Sequence, residues 1–175
     1  MTETLISVDI EASGPIPGRY SMLSFGACLL DDPSEGFYVE LQPTSNEYVP
    51  EAMAVSGLDL ATLRSSGIAP RVAMGQIAEW VAKFERPLLL ALNASFDWAF
   101  VNHYFIEYAP DGKNPFGMGA IDIKAYAMGR INTTWEETRS SRLSARVGVS
   151  NQSTHHALED ARLQARLFHA IRALI

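Results

Sequence analysis

The spacing of apolar residues changes once along this chain, and that change restricts the fold more than any other feature. Up to Leu41, apolar residues run together or alternate in short β-prone stretches: Leu5 to Glu11, Tyr20 to Leu30, then Phe37, Val39 and Leu41. A loop rich in Gly and Pro, Gly14 to Gly18, separates the first two stretches, and Asp31-Asp32-Pro33 turns the second into the third. Three strands joined by short connections predict an antiparallel meander. Beyond Arg71 the period becomes helical, with Ile77, Trp80, Val81 and Phe84 at i, i+3, i+4 and i+7. Pro87 ends that helix, and Leu88 to Leu92 reads as a short buried strand. Ser95 stands as the N-cap of a helix from Phe96 to Tyr108. A brief strand near Ala120–Ile123 precedes another short helix, and one long helix is predicted from His155 onward. The fold class is therefore α/β. Its mixed five-stranded sheet is a three-strand antiparallel meander followed by alternating α and β, with flanking helices.

Size and charge narrow the functional classes. At 175 residues the chain supports one complete core, so a single domain over 1–175 is expected. No stretch reaches the roughly 18–20 apolar residues that span a bilayer. No basic, cleavable apolar segment precedes the first strand, and a cytoplasmic protein is expected. Cys28, the single cysteine, lies in an apolar run and reads as a buried thiol. A net charge of −6 argues against coating duplex nucleic acid through a broad basic surface. It leaves room for an enzyme that grips a few nucleotides through bound cations.

The chemistry shows itself as acids on faces that ought to be apolar. Asp9 and Glu11 are two apart in the first strand, so their side chains share one side while Val8 and Ile10 take the other. Such a pair is either a solvated acidic face on an edge strand or a place for a cation. Asp97 shares its helical stripe with Phe100, Val101 and Tyr104. Asp160 lies in line with Leu163, Leu167 and Ile171. An unpaired carboxylate on a buried face costs several kcal/mol. A Lys or Arg partner offsets that cost, and so does a divalent cation shared by several carboxylates. With oxygen ligands alone on offer, Mg²⁺ or Mn²⁺ is the natural cation, and no Cys/His arrangement has zinc spacing. His155 stands five residues before Asp160, and its ordinary pKa of about 6.5 suits a general base near neutral pH.

Read in order, these residues resemble the DEDDh 3′→5′ exonucleases of the ribonuclease H-like superfamily. The first motif is matched by Asp9-Ile10-Glu11-Ala12-Ser13-Gly14, the second by Asn93-Ala94-Ser95-Phe96-Asp97, and the third by His155-His156-Ala157-Leu158-Glu159-Asp160. Weaker similarity covers Ser56 to Pro70, Ile121-Asp122 and Leu143 to Gly148. The resemblance implies release of nucleoside 5′-monophosphates from the 3′ end of short or single-stranded nucleic acid. It implies that Asp9, Glu11, Asp97 and Asp160 hold two divalent ions, Mg²⁺ or Mn²⁺, roughly 3.5–4 Å apart. The base sits five residues before the last Asp in this family, which selects His155 over His156. Ser13 and Gly14 would approach the terminal sugar through their backbone. Met22 would act as an apolar wedge against the last base. Asn93 and Phe96 would touch substrate, and Trp98 could stack on a base.

Arg139, Arg142 and Arg146, at i, i+3 and i+7, form either a phosphate-binding stripe or a solvated helix face. Members of bare single-domain size, such as oligoribonuclease and ribonuclease T, tend to act on RNA ends and to form homodimers. The same leaning, RNA over DNA, is carried over here. Two rival readings remain: a phosphodiesterase of dinucleotides on the same site, and a catalytically silent nucleic-acid-binding module. The presence of all five site residues argues against the second.

Overall fold

The computed structural model describes residues 3–151 and 154–174. Strands β1 (Thr4–Ala12), β2 (Met22–Leu29), β3 (Gly36–Glu40), β4 (Pro87–Ala91) and β5 (Ala120–Asp122) form one sheet in the order β3-β2-β1-β4-β5. The first three pair antiparallel, while β4 pairs parallel to β1 and β5 parallel to β4. The expected mixed sheet is thus the sheet observed. Its central strand, β1, is hydrogen-bonded on both sides. Helices α1 (Pro50–Ser56), α2 (Leu60–Ser66) and α3 (Pro70–Val81) fill the crossover from β3 to β4. Helix α4 (Ala94–Tyr108) links β4 to β5. Helices α5 (Ile123–Ile131), α6 (Ser140–Val147) and α7 (Ala157–Ala173) complete the chain. Among the described residues, no helix is long and apolar enough to cross a membrane.

Alternation along β1 divides the interior in two. Ile6, Val8 and Ile10 enter a core with Met74, Ile77, Phe100, Val101 and Tyr104. On the other face Cys28 and Leu90, joined by Leu5, pack with Leu167, Phe168 and Ile171 of α7. Ser7, also on this face, donates its hydroxyl to Ala161 O at 2.8 Å. Helix α7 lies close to the sheet because β2 carries Gly26. A Cβ there would fall 2.1 Å from Leu158 N and 2.2 Å from the Ala157 carbonyl carbon. Only a residue without a side chain lets the start of α7 pass over the strand.

Three boundaries differ from expectation, and two short helices carry no periodic signal. Ser95 is not the N-cap of α4: the helix begins at Ala94, with Asn93 in the capping position at φ +67°. Ala94 N instead donates to Asp122 Oδ2 at 2.7 Å, so a carboxylate from β5 does the capping. Ile123 leaves β5 and opens α5, capped by Asp122 Oδ1. Helix α7 begins at Ala157 rather than His155, which lies outside it at φ +52°. Helices α1 and α2 are too short to show a periodic stripe. Their signals are Pro50 in the first turn, Gly57 at φ +66° as C-cap, and Asp59 accepting from Thr62 N.

Candidate active site

The carboxyl ends of the parallel strands β1 and β4 open into a cleft of about 420 Å³. Its lining includes Asp9, Glu11, Asp97, His155 and Asp160, so acids distant in sequence meet in one place. Strand β1 contributes Asp9 and Glu11 from the face that looks toward α7. Asp97, 4% exposed, reaches in from the first turn of α4, and its Oδ1 accepts from Ile10 N at 3.2 Å. Asp160, 8% exposed, enters from the first turn of α7, and its Oδ1 accepts from Thr154 N at 3.2 Å. One potential ligand atom each from Glu11, His155 and Asp160 lies within 4.8 Å of the others.

Crowding acids into a half-closed cleft shifts their proton equilibria upward. Burial, reinforced by the charges of Asp97, Glu11 and Asp160, holds Asp9 well above the usual carboxylate range. Burial pushes Asp97 up as well, against the N–H groups that its carboxylate accepts from. Burial and then the Asp160 charge raise Glu11 from 4.5 to about 7. Carboxyls whose ionisation is opposed by burial and by one another are favoured by a divalent cation placed among them, and their oxygens match hard cations. The donor set therefore fits the ions that the sequence led us to expect.

A stability prediction follows with a definite sign. Carboxyls whose folded pKa lies above the unfolded one contribute stability below the unfolded value and lose it as pH rises through the folded value. In EDTA the melting temperature should fall between about pH 4.5 and pH 7, the window bounded by 4.5 and about 7 for Glu11. Saturating Mn²⁺ should flatten that fall. Equal slopes with and without Mn²⁺, measured by differential scanning fluorimetry, would count against a cation at this cluster.

The remaining residues singled out from the sequence are placed unevenly. Phe96, half-buried, lines the cleft. Asn93 is exposed at the turn into α4. Trp98 packs against the larger core instead of facing this cleft, and its indole nitrogen is buried. Ser13 is fully buried: its hydroxyl donates to Glu47 O at 2.9 Å and accepts from Ser21 N, and its backbone N–H and C=O pair with Ser21 and Val49. A substrate sugar would find those Ser13 groups engaged. The close approach that Gly14 permits is to the Tyr20 ring, 2.5 Å from a Cβ built there. Met22 is 0% exposed in the core, opposite Ala12 at the β1 bulge, and has no surface to offer as a wedge.

Arg139 precedes α6 and pairs with Glu136, and Arg142 pairs with Glu136 and Glu137. Arg146 reaches Thr133 and the Ile131 carbonyl. That favours the solvated face over a free phosphate stripe. His156 stacks on Tyr38, with ring centroids 4.1 Å apart.

Sequence reasoning missed Gln164, Ser140, Ser141 and Asn151, which also line the cleft. The spacing of Gln164 from Asp160 (i, i+4) was the available signal for the first.

Solved structures define the class of fold. The chain superimposes on the nuclease domain of 3′hExo, a DEDDh family member crystallised with rAMP, at a TM-score of 0.75 and 16% identity, covering 97% of this chain and 90% of that one. It also matches the zinc-bound Escherichia coli exonuclease I–single-stranded DNA complex at a TM-score of 0.72 and 18% identity. That match covers 95% of this chain but only 40% of exonuclease I. These are ribonuclease H-like exonucleases, and the fold is theirs. No protein-family model matches the chain. A 3′-5′ DNA exonuclease of Escherichia coli, Cap18, is 46% identical over 176 residues, 98% of this chain and 93% of that protein. The chain belongs to the DEDDh family of 3′→5′ exonucleases, hydrolases of nucleic-acid 3′ ends.

Proposed function

We propose that residues 1–175 form one exonuclease domain that removes nucleoside 5′-monophosphates from the 3′ end of single-stranded or short DNA. The observation that carries this reading is the convergence of Glu11, His155 and Asp160 within 4.8 Å beside Asp9 and Asp97 in one open cleft. Asp9, Glu11, Asp97 and Asp160 would hold two divalent cations, Mg²⁺ or Mn²⁺. When bound, these supply electrostatic stabilisation to the attacking and leaving oxygens of an in-line displacement.

The protein's own groups do the rest. His155 accepts a proton from the attacking water. Its exposure to solvent lets the imidazolium return that proton to bulk. The water oxygen bonds to phosphorus as the bond to the 3′ oxygen of the shortened strand breaks, and that oxygen takes a proton from solvent as it leaves. Because Asp160 Oδ1 accepts from Thr154 N, the acid also restrains the segment that presents His155. Phe96, on the cleft wall, offers an apolar surface to the terminal nucleotide.

The name of the 46% identical relative supports DNA over the RNA preference expected from the smallest family members. The same proposal includes a homodimer acting in the cytoplasm. The test uses 5′-labelled single-stranded DNA and RNA of matched sequence, from dinucleotides to roughly twenty nucleotides, with Mn²⁺, Mg²⁺ or EDTA. A cation-dependent ladder shortening from the 3′ end of DNA is expected. His155→Ala should slow it about 10²- to 10⁴-fold. Faster cleavage of RNA would reverse the sugar preference. Cleavage confined to dinucleotides would favour the phosphodiesterase reading.

A further inference from the structure

Helix α7 places a second polar residue on the stripe of Asp160, one turn further along. Gln164 is only 5% exposed, and burying an amide there is costly unless both of its ends are satisfied. Both are. Its Oε1 accepts from Leu92 N, just past β4, at 2.7 Å, and its Nε2 donates to Asp9 Oδ1 at 2.6 Å. The polarity of this bridge is fixed by its partners. A backbone N–H can only donate, so the oxygen must face Leu92 and the NH₂ must face Asp9. One side chain thereby ties α7, the end of β4 and the central strand together at the cleft.

We propose that Gln164 is a positioning residue for the cation site, acting through Asp9. The inference rests on the cation-binding reading given above. By occupying Oδ1 of Asp9, the amide holds the carboxylate in one rotamer and assigns the other oxygen to the cleft. Outer hydrogen bonds of this kind orient metal ligands, and their loss typically weakens binding about 10- to 100-fold. An aliphatic side chain of equal length would fill the space but leave Asp9 free to rotate away from its neighbours' ligand atoms. A purely structural Gln164 would instead secure only Leu92 and the packing of α7.

The test measures Mn²⁺ binding by isothermal titration calorimetry and electron paramagnetic resonance on the full chain, with thermal unfolding in EDTA alongside. Gln164→Met keeps length and volume but removes both hydrogen bonds. Gln164→Leu removes the same two hydrogen bonds with a smaller apolar side chain and adds no charge to the cleft, so it serves if the first variant fails to fold. Near pH 8 both should bind Mn²⁺ about 10- to 100-fold more weakly than the wild type. Cleavage should be substantially restored at saturating Mn²⁺, giving a split between the cation requirement and kcat. Unchanged or tighter Mn²⁺ binding by a folded variant overturns the role of Gln164 while leaving the exonuclease reading intact. Failure of the wild type itself to bind Mn²⁺ removes the cation site, and the role with it.

Discussion

Asp9→Asn should abolish cleavage while making the cation-free protein harder to unfold. The two effects have one cause. Asp9 lies among the charges of Asp97, Glu11 and Asp160, in a place where burial already penalises ionisation. Asparagine has nearly the same shape and still offers Oδ1 to Gln164 Nε2, so the packing survives and the repulsion goes. The melting temperature in EDTA at pH 8 should therefore rise. The wild type should gain about 2.7 kcal/mol from Mn²⁺ at a hundred times its dissociation constant. For a domain of this size that is about 5–10 °C. Asp9→Asn should gain much less, and its cleavage rate should fall by about 10³-fold or more, because cations supply several kcal/mol to the transition state. A variant that melted lower in EDTA and kept its cation-induced gain would show that Asp9 is a structural acid.

Gly26→Ala should damage both fold and activity from a position outside the cleft lining. The added methyl meets backbone atoms of Leu158 and Ala157 at 2.1 and 2.2 Å, and backbone cannot rotate aside as a side chain can. The start of α7 must lift off β2, at a cost of about 3 kcal/mol if it behaves as other overpacked sites do. That corresponds to a fall of about 6–12 °C in melting temperature. Asp160 is carried by the same turn of α7, so it should move relative to Asp9. A misplacement of about 1 Å costs on the order of 10²-fold in rate. Near-normal cleavage in a destabilised Gly26→Ala would mean that α7 adapts without disturbing its acid. Cleavage is measured at 20 °C, well below the expected transition, so that unfolding does not mimic loss of geometry.

The elements with long, regular patterns were the legible ones. Asp97 and Asp160 could be picked out because each interrupts an apolar stripe, and a stripe three turns long defines which side is buried. The meander was legible because alternation in β3 and the turn at Asp31-Asp32-Pro33 leave few other pairings. Gln164 escaped notice because a glutamine on a helix reads as solvated until its two partners, 72 and 155 residues away, are known. Met22 was picked out by resemblance alone, and its complete burial depends on long-range packing that the resemblance does not show. The β1 bulge between Glu11 and Ala12 shifts the register with β2, and such a shift has no sequence signature here. The left-handed backbone of His155 was equally hidden, since histidine, unlike glycine, does not advertise it.

The pairing of β1 on both sides has a further consequence. Thr4 to Ser7 pair with β4, whereas Asp9 and Glu11 lie beyond that ladder and pair with β2 at Gly26 and Ser24, so their hydrogen exchange should require β2 to lift away from the sheet centre. His155 and His156 are exposed and precede the first turn of α7, where opening needs only local free energy. The two acids are thus held by a strand pairing within the sheet, and His155 by a short segment at its surface. Amide exchange at His155 and His156 should therefore be faster than at Asp9 and Glu11.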